Sequence, residues 1–105
     1  MWAQLITARL KPGRVGDLSK LSKQLQAAEQ PNSGLVEALM MVDQKDPGRV
    51  YMVVVFESEE KARARENDQR RQAGPEHHAA HELMEEIFDG APEFVDLTVI
   101  EEWTP

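Results

Sequence analysis

The chain has 105 residues, 41% hydrophobic and 30% charged, with no cysteine. One core is all that this length supports, and disulfides, thiolate catalysis and thiolate metal sites are excluded. With 19 acids against 12 lysines and arginines the formal charge is −7, which repels phosphate backbones and sets nucleic acid aside as a partner.

No basic-then-apolar leader opens the sequence. Its longest apolar run, VYMVVVF at 50–56, falls far short of the roughly 20 residues of a membrane-spanning helix. A cytoplasmic protein without membrane contact is expected.

In chain order, WAQLITARLK at 2–11 places Trp2, Ile6, Ala8 and Leu10 on one parity, which predicts a strand ended by Pro12-Gly13. Val15, Leu18, Leu21, Leu25 and Ala28 recur every three or four residues, the period of a one-sided helix. PNSG at 31–34 stops it and releases a second strand, LVEALMMVD. DQKDPGR at 43–49 has reversal chemistry and leads into VYMVVVFE, apolar at consecutive positions and therefore covered on both faces. Ser58 caps a helix that opens with Glu59 and Glu60 and is expected to run to about Ala73. Pro75 starts a further helix that ends near Asp89-Gly90. EFVDLTVIEEW at 93–103 alternates as a last strand.

The order strand, helix, strand, strand, helix, strand is α+β. It predicts a single ferredoxin-like βαββαβ domain over residues 1–105, a four-stranded antiparallel sheet with helices on one face. Leu5, Val53, Val55, Val95 and Val99 are too much apolar surface to leave in water on the other face. Two sheets packed face to face would bury them, so a homodimer forming an α+β barrel is expected.

The opening WAQLITARLKPGR, the junction YMVVVFESEEKARARE and the closing EFVDLTVIEEW together resemble the antibiotic-biosynthesis monooxygenase family of the dimeric α+β barrel superfamily. The resemblance spans essentially the whole chain. It implies a homodimer with a pocket between sheet and helices in each subunit. It also implies oxygenation of quinol-like aromatics without metal or organic cofactor, or haem binding or degradation. Beside these, nothing in the sequence excludes a non-catalytic dimer that binds a small molecule or a protein partner. Catalytic relatives carry an asparagine on the first strand and a tryptophan on the second helix. Here the corresponding places read Thr7, within LITAR, and Arg65, while the haem ligand's place falls near Gly74.

All three histidines lie in EHHAAHELMEE at 76–86. At ~100° per residue, Ala80, Leu83, Met84 and Ile87 form the buried stripe of that helix. His77 falls at the stripe's edge, His81 at its border and His78 opposite. His77, His81 and Glu85 share one ridge, which could chelate a divalent ion, form a structural pair, or line a pocket for proton transfer. No fourth metal ligand is evident, and no cofactor is assigned.

The helix EEKARARENDQRRQA offers only Ala62, Arg65, Gln69 and Ala73 as a stripe. Either it is a solvated helix held at its ends, or its small and polar side chains leave a cavity over the sheet. In the second case Arg65 would hold an anionic ligand such as a phenolate or enolate. The catalytic candidates are therefore His77, His81 and Arg65, with Tyr51, Asn67, Thr7 and Gln69 as substrate-binding candidates. The expected partners are a second copy of the chain and a small molecule.

Overall fold

A computed structural model describes all 105 residues. Trp2–Arg9 forms β1, Leu18–Ala28 α1, Leu35–Val42 β2, Arg49–Phe56 β3, Glu59–Glu66 α2, Gln69–Ala73 α3, Pro75–Ile87 α4 and Glu93–Thr98 β4. The sheet order is β2-β3-β1-β4 and every neighbouring pair is antiparallel. Each strand–helix–strand half leaves a gap that a strand of the other half fills, which is the ferredoxin-like arrangement.

Register separates the two faces of the sheet. Trp2, Gln4, Ile6 and Ala8 of β1 pair with Phe56, Val54, Met52 and Val50 of β3 on the face that meets the helices. The alternate positions Ala3, Leu5 and Thr7, with Val55, Val53 and Tyr51, form the helix-free face.

The helices cover their face with two separate clusters. Leu10, Leu18, Leu21, Val50, Ala80, Leu83 and Ile87 form the larger, where α1 and α4 lie against one end of the sheet. Trp2, Phe56 and Ala62 form the smaller at the other end, under α2. Between them Ile6, Met52 and Gln4 stay partly buried. The buried stripe of α4 follows the predicted period, with Ala80, Leu83 and Ile87 inside and Met84 and Phe88 packed at the margin.

Three expectations change. The helix predicted from Ser58 to Ala73 breaks at Asn67-Asp68. There the Asn67 amide donates to the Arg63 carbonyl at 3.1 Å, and the extended Asp68 accepts from the Arg70 N–H at 2.9 Å, capping a new helix. The last strand ends at Thr98 rather than 103: Thr98 pairs with Trp2, and one further hydrogen bond, from the Val99 N–H to the Met1 carbonyl at 3.3 Å, closes the ladder. Val15 stands exposed in a single 3-10 turn, Val15–Asp17, instead of joining the apolar stripe of α1.

Gly34 opens β2 at φ +85° directly beneath α2. A Cβ there would lie 2.7 Å from the Lys61 Cβ, so no larger residue lets the helix approach this closely.

Candidate functional site

α2 buries only Ala62, so its packing rests on charged side chains. Ser58 caps it by accepting the Lys61 N–H at 3.2 Å. From the next turn the Arg63 guanidinium donates to Asp96 of β4 at 2.8 Å and lies 5.0 Å over the Trp2 ring. Arg65 sits two residues on, 5.4 Å over the Phe56 ring, and donates three hydrogen bonds of 2.7–3.1 Å to Glu29 at the end of α1. The basic run is thus a set of ties between α2, the sheet and α1.

The Arg65–Glu29 pair is sheltered, its side chains only 18% and 19% exposed. Burial pushes the Glu29 carboxyl up, but the hydrogen bonds from Arg65 and Ser33 and the charges of Arg65 and Arg71 outweigh it and hold the group below the usual carboxylate range.

Two further groups gather at this place. Arg71, on α3, is partly buried; its Nε is shut off from solvent without a hydrogen-bond acceptor, and no carboxylate pairs with it. Burial and then the neighbouring Arg65 charge push its guanidinium below the usual arginine value. His77, partly buried in the first turns of α4, is held below the usual imidazole value by burial first and then by Arg71, His81 and Arg65. The arrangement is an imidazole whose protonated form is disfavoured by two guanidinium groups, one paired with Glu29 and one without a direct carboxylate partner. Such a group can accept a proton and stabilise the anion that results.

The other candidates fall elsewhere. His81 is exposed, stacked on His77 with ring centroids 6.5 Å apart and 3.4 Å from Glu85. His78 faces solvent beside Glu82. Asn67 is occupied as the cap of α2, and Gln69 is exposed at the start of α3, turned out of the stripe by the helix break. Thr7 and Tyr51 pair across β1 and β3 on the helix-free face, where the Tyr51 hydroxyl accepts from Arg49 at 3.0 Å. The charges of Arg71 and Arg65 thus reach His77, while His81 stands one turn outside and Thr7 and Tyr51 lie on the opposite side of the sheet.

Reading the sequence missed Glu29 and Arg71. Arg71 was hidden in a charge run; Asp68, an internal cap signal in ENDQRR, is the sequence feature that starts its helix anew. Glu29 carries no local signal, since its partner is 36 residues away.

Seven depressions mark the surface, two of them lined as follows. One, of about 360 Å³, is an open groove between α1 and α4 lined by Lys20, Gln24, Pro75 and Glu76. The other, of about 140 Å³, lies at the sheet end between Thr7, Arg49 and Glu93. No group of three His, Asp or Glu side chains converges as a metal site. Gly74, near the place of a haem ligand in relatives, is the junction of α3 and α4 and carries no donor side chain, so the residues there do not fit haem.

The sequence model described as antibiotic biosynthesis monooxygenase matches residues 1–83. Among solved structures, a proposed antibiotic biosynthesis monooxygenase from Nitrosomonas europaea superposes with a TM-score of 0.73 at 12% identity, over 96% of this chain and 100% of that one. A second, from Chloroflexus aurantiacus, gives 0.68 at 19% identity over 99% and 98%. A protein of unknown function from Nitrosomonas europaea gives 0.72 at 15% identity over 99% and 93%. No curated protein matches the chain in sequence. At these identities the structural likenesses establish the fold.

Proposed function

The chain belongs to the antibiotic biosynthesis monooxygenase family, and from that premise we propose a homodimeric, cofactor-independent monooxygenase acting on a small electron-rich aromatic at the cluster of His77, Arg65 and Arg71. The observation that supports this reading is His77: partly buried, with burial and the charges of Arg71 and Arg65 holding its imidazole below the usual value, which favours the form that accepts a proton.

An anthrone-type methylene loses a proton to His77. The resulting enolate is reducing enough to react with dioxygen directly; one oxygen atom becomes the new carbonyl, and the other leaves as water with the two methylene hydrogens. The protein removes the proton, holds the anion beside the guanidinium groups and excludes water with Ile6, Met52 and Val54 on the helix face. His81, on the same ridge and open to solvent, is the second candidate base. Asn67 and Gln69, at the joint between α2 and α3, would orient a substrate hydroxyl only after that joint shifts.

A second copy of the chain completes the molecule in this reading. Leu39, Met41, Val95 and Leu97 are exposed on the helix-free face beside Leu5, Val53 and Val55, and beyond β4 Ile100 and Trp103 are 95% and 80% exposed. Such a patch calls for a partner sheet. Thr7 and Tyr51 would then act at that interface.

The test is oxygen uptake with a panel of anthrones and hydroquinones. The expected result is stoichiometric uptake by the wild type and a loss of roughly 10²–10⁴-fold in His77→Ala, the usual worth of a general base. Full activity in His77→Ala would remove its role. Ligand-induced thermal stabilisation with no uptake by the wild type would make the protein a binder instead.

A further inference from the structure

Seven arginines occur in the chain. Arg9, Arg14, Arg63, Arg65 and Arg70 each pair with a carboxylate, and Arg49, which is exposed, donates to the Tyr51 hydroxyl. Arg71 alone is partly buried with no acceptor for its Nε. In a chain with 19 acids, a carboxylate partner would have been easy to supply. Burying a cation without a partner is costly, so its place is explained by something that arrives to pair with it.

The carboxylates whose charges reach Arg71 are each hydrogen-bonded to another arginine. Both carboxylate oxygens of Glu29 are engaged by Arg65, the two charges cancelling. The charges of Glu66 and Asp68 also reach Arg71, but these carboxylates are hydrogen-bonded to Arg63 and Arg70, so Arg71 is left without a direct partner. Arg65, held in three hydrogen bonds, has its inner nitrogens occupied and is not the free group.

We propose that Arg71, not Arg65, is the anion-binding residue of this site, and that its ligand is a small aromatic carrying a carboxylate, phenolate or enolate, bound as the anion. This rests on the reading of the cluster as an aromatic-substrate site. It deepens that reading by naming the charge of the ligand and the side chain that selects it. The guanidinium presents planar paired donors to such a group, a geometry that an ammonium cannot copy.

The probes are 1-naphthoate and its neutral isostere 1-naphthamide, measured by calorimetry on the full chain at pH 7. The wild type is expected to bind naphthoate at least about 10-fold more tightly than the amide, the scale of one charge-assisted hydrogen bond. Arg71→Gln is expected to abolish that preference while leaving amide binding unchanged, and Arg71→Lys to restore it in part. Arg71→Gln is further expected to melt no lower than the wild type, since it removes an unpaired buried cation; a merely structural arginine would lower the melting temperature.

Equal binding of acid and amide, no binding of naphthoate, or naphthoate binding unaffected in Arg71→Gln would each overturn the assignment. Oxygen uptake with an anthrone, run on the same preparations, separates the two claims. Charge-selective binding without uptake leaves Arg71 standing and removes the oxygenase. Uptake with indifference to charge does the reverse.

Discussion

Glu29 and Arg65 join the end of α1 to α2, and their coupling sets the acid side of the stability profile. Because the folded Glu29 carboxyl sits below its unfolded value, near 4.3, its contribution is fully present above that pH and is lost as pH falls through the folded value. Glu29→Gln is expected to cost roughly 1–3 kcal/mol at pH 7, less than a fully buried pair would, and to flatten the acid limb of a urea-midpoint titration. His77 has the same sign in a higher window. Its folded value lies below the unfolded one, so below about 6.5 the unfolded chain takes up the proton first and stability rises with pH there. His77→Gln should remove that slope, read as the difference in urea midpoint between pH 5.5 and pH 7.5. Removing the Arg71 cation should raise the His77 value, visible in the imidazole proton shifts of Arg71→Gln.

At the scale of elements, α2 is the unusual one. Its eight residues place one alanine in the core and rely on arginine ties to Asp96 and Glu29 for the rest. Ala62 fits between helix and sheet in the cluster with Trp2 and Phe56. Ala62→Leu is therefore expected to destabilise by about 1–3 kcal/mol through overpacking. Hydrogen exchange should show residues 59–66 opening faster while the amides of α4 keep their protection. An element held by charge at two points opens more readily than one held by a stripe such as that of α4. A lid over a site needs that property.

For the whole molecule, the sheet presents one face to its own helices and one to its surroundings. Val53 lies in the middle of the second, opposite Leu5 on one side and Leu39 on the other. Val53→Glu is expected to convert a dimer to an 11.9 kDa species in sedimentation at micromolar concentration. A wild type that already sediments at 11.9 kDa, folded and stable, would remove the dimer and the interface role of Thr7 and Tyr51 with it.

Periodicity alone determined the order of elements, the stripe of α4 and the two-faced sheet, because helix and strand periods are local and each apolar residue reports its own burial. It placed His77 at the edge of a stripe and His78 in water, as they stand. Where side chains compete for the backbone the pattern said less: Asn67 and Asp68 broke a helix that composition alone would continue. Only the tertiary structure decided that Arg65 is spoken for and Arg71 is not. The reason is physical: a salt bridge between residues 29 and 65 leaves no periodic trace, since charge pairing depends on where the fold brings two helix ends together. The end of β4 was likewise decided by its pairing with β1, which no alternation within residues 93–103 reports.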